Sequence, residues 1–372
     1  MNARCRQLVV ALGFAAWPAL ASAQITPAAG YTPPDDTPSI KVGATIFTDY
    51  TYTDAPTATD ADGNIIHSNA FNVARSYINV TGNISHVVAF RITPDVTRET
   101  GTGSSLNGSL TFRLKYAFVQ VNLDDWFKYS TGNWVRVGQQ QTPYIDFMEG
   151  IYRYRFQGTT FVEREGFQSS ADSGVSFHTN LPSNYGDIHV GIYNGENYNK
   201  PEANNIKAVQ IRGTIRPFAT GDPVLRGLRL TGFYDKDAYV KNGERNRFIG
   251  SVTFEHKYVN AGFDYFNAED QPLVNAATAT AKVDASGQSF WITPKTTIGI
   301  EGLFRFDNTK LNDNIDQRRK RTIAGVAYWF PHQGSVSTAA LLDFEQVKVS
   351  GSTPPAIPPT QQRIAVHMLV NF

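Results

Sequence analysis

From Ile40 onward, apolar and polar side chains alternate along the chain in segments of about ten residues, each ending in a polar stretch rich in Gly, Asn, Asp or Pro. In one segment the apolar positions are Phe112, Leu114, Tyr116 and Phe118. A period of two residues predicts β-strands with one apolar and one polar face. We count about sixteen such strands, with eighteen as the alternative if a long connection hides a hairpin.

The connections between these segments alternate in length. Short ones fall at 182–185 and near Val259, whereas long ones fall at 53–69 and 142–169. Short turns on one side and long loops on the other are typical of a bacterial outer-membrane barrel, which has an even number of strands. A β-sandwich gives no reason for this alternation, and a propeller would repeat every four strands. We therefore predict an all-β, transmembrane antiparallel β-barrel over 40–372.

The composition excludes other classes. Charged residues make up 18% and aromatic residues 12% of the 372 residues, and the mean hydropathy is −0.30. No long apolar run follows the first 23 residues, which excludes a helical membrane protein, and the 24 Phe and 17 Tyr exclude disorder. Because 34 basic and 33 acidic side chains nearly cancel, we expect no nucleic-acid partner.

The N-terminus has the pattern of a secretory signal peptide over 1–23, with Arg4 and Arg6 ahead of an apolar stretch and small residues up to Ala23. We expect cleavage near Ala23, a Pro-rich periplasmic linker over 24–39, and location in the bacterial outer membrane. The only cysteine, Cys5, lies in the predicted signal peptide. The mature chain is therefore expected to lack disulfides and cysteine-based chemistry.

The C-terminal segment places an apolar side chain at every second position and ends on an aromatic residue. It resembles the strand by which bacterial outer-membrane proteins are recognised for barrel insertion. Four tryptophans fall beside short connections, where we expect them at the membrane interface. The insertion-strand residues are Ile364, Val366, Met368, Val370 and Phe372, and the tryptophans are Trp126, Trp134, Trp291 and Trp329.

Two internal segments carry a family resemblance. The segments FNVAR at 71–75 and YINVTG at 77–82, and the segment WVRVGQQQTPY at 134–144, resemble motifs of the phosphate-selective porin O and P family. That family carries adjacent arginines near this point, where the present chain has Arg75 alone. The resemblance implies a homotrimeric outer-membrane channel.

Basic residues are the candidates for selectivity, because charged side chains in a barrel lumen determine which ions pass. With the apolar faces toward lipid, the strand register directs five of them inward. The alternative is that they pair with lumenal acids such as Glu255, Glu301 and Asp307 and only support the wall. The five residues are Arg113, Lys115, Arg136, Arg212 and Arg216.

The long connection at 142–169 is the second candidate. It holds Arg153, Arg155 and Arg164, whose planar guanidinium groups suit phosphate or carboxylate. Loops of this length are usually functional, so we predict a constriction loop inside the lumen. Acids on the same loop could neutralise it. The alternative is a solvated extracellular loop that contacts lipopolysaccharide.

These observations predict a porin: a water-filled channel for passive diffusion of small hydrophilic solutes, with an anion preference. We expect outer-membrane lipids, lipopolysaccharide, small anions or nutrients and two further copies of the chain as partners. Without HExxH, GxSxG or a Gly-rich phosphate loop, we expect no catalytic residue, metal or cofactor. The alternative function is that of an outer-membrane barrel enzyme, a phospholipase or protease.

Overall fold

The structure, a computed structural model, describes residues 36–372 apart from 128, 241–242, 272, 276–277, 280, 333–335 and 354. The predicted signal peptide, 1–23, and most of the predicted linker, 24–39, lie outside the described residues. Within the described chain, no helix is both long and apolar enough to cross a bilayer.

Sixteen antiparallel strands close into one barrel, which confirms the predicted fold. Each strand pairs with its neighbours in sequence, and β1 pairs with β16 to close the sheet. The strands are β1 (Ser39–Ala55), β2 (Asn69–Asn83), β3 (Val88–Arg98), β4 (Leu110–Asn122), β5 (Trp134–Gln141), β6 (Ala171–Asn180), β7 (Gly186–Tyr193), β8 (Ala208–Ile215), β9 (Leu228–Val240), β10 (Gly243–Glu255), β11 (Val259–Asp270), β12 (Val283–Pro294), β13 (Ile300–Lys310), β14 (Gln317–Trp329), β15 (Ser337–Gly351) and β16 (Gln361–Asn371).

Short elements lie in the connections. Two helices, α1 (Pro143–Ile151) and α2 (Phe161–Arg164), separate β5 from β6. Two small hairpins pair Ala58–Thr59 with Ile65–Ile66 and Leu273–Asn275 with Thr278–Ala279. We call the barrel end with the connections 84–87, 181–185 and 256–258 the short-turn end, and the end with 142–170 and 194–207 the long-loop end.

The alternation predicted from sequence determines the two faces of the wall. In β10, Arg247 and Glu255 are buried inside the barrel, whereas Phe248 and Val252 are exposed on its outside. The final strand behaves the same way, because Ile364, Val366 and Met368 are exposed outside while the inward His367 contacts Asp343 at 3.1 Å. An apolar outer surface around a polar interior is the arrangement of a membrane-spanning barrel.

A β-bulge makes one predicted face wrong. Thr93 pairs with Tyr116 but Pro94 pairs with Leu114, so Lys115 is the extra residue in β4. An inserted residue shifts the side-chain alternation by one position. Tyr116 and Phe118, expected on the lipid face, are therefore buried inside the barrel, while Phe112 and Leu114 remain exposed outside.

The predicted tryptophan belt is wrong for three of its four members. Trp126 is exposed. Trp134 and Trp291 instead share the inward register of their strands and are buried, and Trp329 donates to the Tyr154 hydroxyl at 3.3 Å. These indoles fall beside short turns in sequence, but strand parity points them at the lumen, where aromatic side chains of the 142–170 loop contact Trp291 and Trp329.

A histidine joins two turns at the short-turn end. The His86 ring contacts carboxylates of Asp36, just ahead of β1, and of Asp125 at 2.7 Å. Hydrogen bonds to Asp36 and then to Asp125 raise the pKa of His86 above its ordinary 6.5. A raised pKa means that the protonated ring stabilises the folded turn below pH 6.5, and that this contribution is lost as pH rises through the raised value.

We expect the His86 imidazole to titrate above 6.5. Asp36→Asn should move the midpoint down, because the largest stabilising hydrogen bond to the charged ring is then lost. Histidine NMR of the protein in micelles measures the His86 midpoint in the wild type and in the variant. A wild-type midpoint at or below 6.5, or a midpoint that Asp36→Asn leaves unchanged, would contradict the geometry.

Candidate functional site

The loop at 142–170 lies inside the barrel, and its first residues direct it there. β5 ends at Gln141, and Pro143 opens α1, where a missing backbone N–H costs nothing. Tyr144 then reaches across the lumen, with its hydroxyl 2.7 Å from the Ser251 hydroxyl and donating to Asp264 at 2.9 Å. The Thr-Pro-Tyr sequence noted in the family resemblance thus marks the point where the chain leaves the wall.

The apolar side of the loop packs on the inner wall of β9–β16 and reaches β1, where the Phe156 ring lies 6.4 Å from that of Phe47. Ile145, Met148 and Ile151 of α1 are buried in one cluster with wall residues such as Phe233 and Ile249. Burying an aliphatic side chain of this size stabilises the folded state by about 1.5–3 kcal/mol. Hydrophobic packing therefore fixes the loop inside the barrel.

The three loop arginines predicted to face the passage are all paired with carboxylates. Arg153 pairs with Glu301 of β13, and Arg164 pairs with Glu345 of β15 at 2.7 Å. Arg155 lies between two acids of its own loop, Glu149 and, at 3.3 Å, Glu163. The sequence predicts that acids of the same loop could neutralise these arginines; this describes Arg155, whereas Arg153 and Arg164 are neutralised by acids of the wall.

The two acids around Arg155 respond differently to burial. Burial alone would raise the pKa of the Glu149 carboxyl, but the Arg155 guanidinium outweighs it and lowers that pKa. Burial raises the pKa of Glu163 despite the same arginine. Arg155 is the cation with the largest effect on both carboxylates, and Lys115 adds a smaller favourable contribution to each. Arg155 is therefore the main charge that holds this part of the loop together.

We expect Arg155→Ala to loosen the loop, because removing one partner of a buried ion pair costs about 3–5 kcal/mol. The loop should become sensitive to protease in micelles while the barrel stays intact. Adding Glu149→Gln and Glu163→Gln to the same variant should restore resistance, since no unpaired charge then remains buried. Unchanged digestion of Arg155→Ala would mean that packing alone holds the loop.

Facing the loop, the wall of β1–β5 carries cations that have no carboxylate partner among the described residues. Arg136 bonds to Gln120 at 2.8 Å and stacks on Trp134 at 3.9 Å. Lys115, the bulge residue, lies 4.9 Å from the centre of the Tyr77 ring. Two of the five register-predicted cations thus lie on this wall without an ion pair.

Sequence reasoning missed one member of this group. Arg91 on β3 bonds to Asn79 at 2.9 Å and stacks over Tyr116 at 4.5 Å. The alternation of β3, with Ile92 exposed and Thr93 buried, places Arg91 on the inward face, and this is the signal that could have found it. The bulge adds the Tyr116 ring on which Arg91 stacks. Lys41, Arg91 and Arg136 line a cavity of about 290 Å³, which we call the wall cavity.

Arg113 has a different environment near the long-loop end. Its Nε donates to Asp95 at 3.0 Å, and Arg75 pairs with the same carboxylate. Tyr198, from the 194–207 loop, accepts from Arg113 at 2.8 Å and stacks against it. Two loops therefore enter the barrel, a feature that the sequence did not indicate.

Arg212 and Arg216 lie at the short-turn end, away from the wall cavity. Arg212 pairs with Asp187 and stacks on Phe147 of α1 at 4.9 Å. Arg216 is buried and donates to the backbone carbonyl of Arg226 at 3.0 Å. The acids named as alternative partners pair elsewhere: Glu255 with Arg229 at 2.6 Å and Asp307 with Arg305 at 2.8 Å.

The loop separates the lumenal charges. Asp264, Asp235 and Asp343 lack a Lys or Arg partner in the described chain, but loop side chains cover them: Tyr144 bonds to Asp264, Gln168 to Asp235 at 2.7 Å and Gln157 to Asp343 at 2.7 Å. Arg91 and Arg136, which form no ion pair in the described chain, line the wall cavity on the other side together with Lys41. The acids that act on these two arginines from the loop are Asp146, near Arg136, and Glu149, near Arg91.

Comparison with known proteins gives the same architecture. No protein-family model and no curated relative matches the chain. The anion-selective porin from Comamonas acidovorans shares 11% identity over 90% of this chain and 100% of its own, with a TM-score of 0.58. The chain has the fold of bacterial outer-membrane porins.

Two further structures share this fold at 11% identity. The outer membrane channel DcaP of Acinetobacter baumannii covers 92% of this chain and 100% of its own, with a TM-score of 0.57. The trimer form of OmpT, an outer membrane protein of Vibrio cholerae, covers 91% and 100%, with a TM-score of 0.56. The resemblance to the phosphate-selective porins O and P rests on the sequence motifs alone.

Proposed function

We propose that the protein is an outer-membrane porin, a water-filled channel through which small hydrophilic solutes diffuse passively with a preference for anions. The observation that carries the proposal is the separation of charge across the lumen. Acids without a cation are covered by the inward loop, and cations without an acid face the space that the loop leaves open. Fixed positive charge beside a passage concentrates anions and repels cations.

The residues that we hold responsible for the anion preference differ from the loop arginines that the sequence favours. Arg153, Arg155 and Arg164 compensate carboxylates and add little net charge to the passage. Arg91 and Arg136, which line the wall cavity without an ion pair, supply the net positive charge, while Lys115 offsets part of the charge of Glu149 and Glu163. Phosphate is one candidate among small anions, supported by the motif resemblance at 71–82 and 134–144.

The proposal also covers the location, the processing and the assembly of the protein. The apolar outer face and the porin fold support insertion in the bacterial outer membrane, among its lipids and lipopolysaccharide. The sequence pattern of 1–23 supports removal of a signal peptide near Ala23. The trimer form of OmpT supports a homotrimer.

The alternative, a barrel enzyme, finds no support in the described histidines. A hydrolase of the Ser-His-Asp type needs a hydroxyl nucleophile bonded to its base. His178 bonds to Gly132 and Asp187, and His367 to Asp343, with no serine or threonine hydroxyl on either ring. Passive conduction therefore fits the geometry better than catalysis.

Liposome swelling tests the channel itself. Proteoliposomes should swell in small neutral sugars and in small anionic solutes, with rates that fall as solute size increases, since a pore discriminates by width and charge. Liposomes with heat-denatured protein are the control. Swelling no faster than that control, from correctly folded barrels, would contradict the proposal.

A further inference from the structure

A second cavity, of about 250 Å³, lies between α1 and the ends of β6–β9 at the short-turn end. We call it the His–Arg cavity. Its polar lining includes His189, Arg212 and Arg216, and its apolar lining includes Phe147 and Ile151 of the loop. It is distinct from the wall cavity, which lies against β1–β5.

Three nitrogen atoms of its lining are buried without a hydrogen-bond partner in the described structure. They are Nε2 of His189, Nε of Arg212 and Nε of Arg216. A buried polar group left without a partner costs about 1–3 kcal/mol, and more when it is charged. The site therefore favours a guest that brings oxygen acceptors.

The charges around the cavity leave one cation uncompensated. Arg212 pairs with Asp187, and Arg229 pairs with Glu255 at 2.6 Å. Arg216 has no ion pair within the described chain, and its hydrogen bond goes to a backbone carbonyl. Asp146 also borders the cavity but forms no ion pair with Arg216 in the described chain. The acids that act electrostatically on Arg216 are Asp187 and Glu255, which are already paired with Arg212 and Arg229.

The apolar part of the lining indicates which class of anion the cavity fits. α1 lines the same space with the half-buried Phe147 and the buried Ile151, and an inorganic ion would leave the exposed part of the Phe147 ring in contact with water. An anion with a short hydrocarbon body would cover it. We propose that the His–Arg cavity binds a small organic carboxylate, with its oxygens on Arg216 and His189 and its hydrocarbon against Phe147 and Ile151.

The inference deepens the proposed function, since such a site would hold a carboxylate on its way through the channel. It also has its own reporter. Trp134 stacks on His178 at 5.1 Å and meets His189 edge-on at 5.0 Å, and both histidines line the cavity. Filling the cavity should change the emission of this indole.

The experiment titrates the full chain in detergent with butyrate and follows tryptophan fluorescence. We expect a saturable change that is absent in Trp134→Phe. Arg216→Gln should weaken butyrate binding about tenfold or more, because a charge-assisted hydrogen bond is lost. Arg318→Gln, which removes an exposed charge on β14, should bind as the wild type does, and Arg216→Lys should bind better than Arg216→Gln.

Neutral butyramide and inorganic phosphate are compared on the wild type, so that this arm does not depend on the folding of a variant. Both should bind at least tenfold more weakly than butyrate. Equal binding of butyramide, equal or tighter binding of phosphate, or an Arg216→Gln variant with wild-type affinity would each overturn the proposal.

Conductance of the same preparation in bilayers distinguishes a failure of the carboxylate site from a failure of the proposed channel. Current without specific butyrate binding rejects the carboxylate site and keeps the channel. Specific butyrate binding without current rejects the channel and keeps the site.

Discussion

Val366→Arg should abolish stable assembly of the barrel. Val366 is exposed on the outer face near the middle of β16, where it pairs with Tyr50 of β1 and Leu342 of β15. An arginine at the bilayer midplane on the lipid face of a barrel costs about 2–4 kcal/mol. In addition, β16 closes the sheet by pairing with both β1 and β15, so a displaced β16 weakens two strand pairs at once.

The matched control is Gln362→Arg, on the same strand and with the same residue parity but at the long-loop end, where the cost falls to about 0–1 kcal/mol. Outer-membrane fractionation and heat-modifiable migration on a denaturing gel measure the outcome. Normal levels of folded Val366→Arg would mean that the outer face of β16 does not contact lipid at this depth.

The second large effect is expected from Arg91→Gln combined with Arg136→Gln. Neither guanidinium has a carboxylate partner in the described structure, and both line the wall cavity. A unit charge about 6 Å from an ion in water contributes about 0.7 kcal/mol, a factor of about three in local ion concentration. Losing two charges should therefore lower the local anion concentration about tenfold and raise the local cation concentration by a similar factor. The anion-to-cation permeability ratio should fall by up to about a hundredfold at low salt, and by less at high salt.

Arg318→Gln with Lys320→Gln removes the same charge from exposed positions on β14 and should change the ratio little. Arg153→Ala with Arg155→Ala gives a separate result. The double variant leaves acids such as Glu301 without their arginine, so it should also reduce the anion preference. Because the loop is then less firmly held, the single-channel current should also fluctuate more. If the Arg91 and Arg136 variant retained the wild-type ratio, the wall cations would not determine selectivity.

Much of the fold could be predicted because a barrel wall has a local code. Each strand exposes one face to an apolar and one to a polar environment, so a period of two residues indicates both the strand and its faces. The alternation predicts the wrong face where the backbone is irregular. The bulge at Lys115 reverses the faces of Tyr116 and Phe118, and the sequence of 112–118 alternates without a sign of the bulge.

The site was less predictable, because its charges are compensated across long sequence distances. Arg164 meets Glu345 only once the loop has folded into the barrel, and Tyr198 reaches Arg113 from a different loop. The sequence could identify which arginines face inward, but not which of them form ion pairs and which leave a positive charge that no carboxylate balances. The same limit explains Trp291 and Trp329, which pack under the loop and not at a membrane interface.

The reversal potential of the wild-type channel in a planar bilayer, under a tenfold potassium chloride gradient at low salt, shows which sign of ion the wall cations favour. We expect the sign of an anion-preferring pore, with a magnitude that decreases as both salt concentrations are raised, because salt screens the wall charges. A zero potential or the sign of a cation-preferring pore, from a channel shown to be folded and open, would contradict the anion preference.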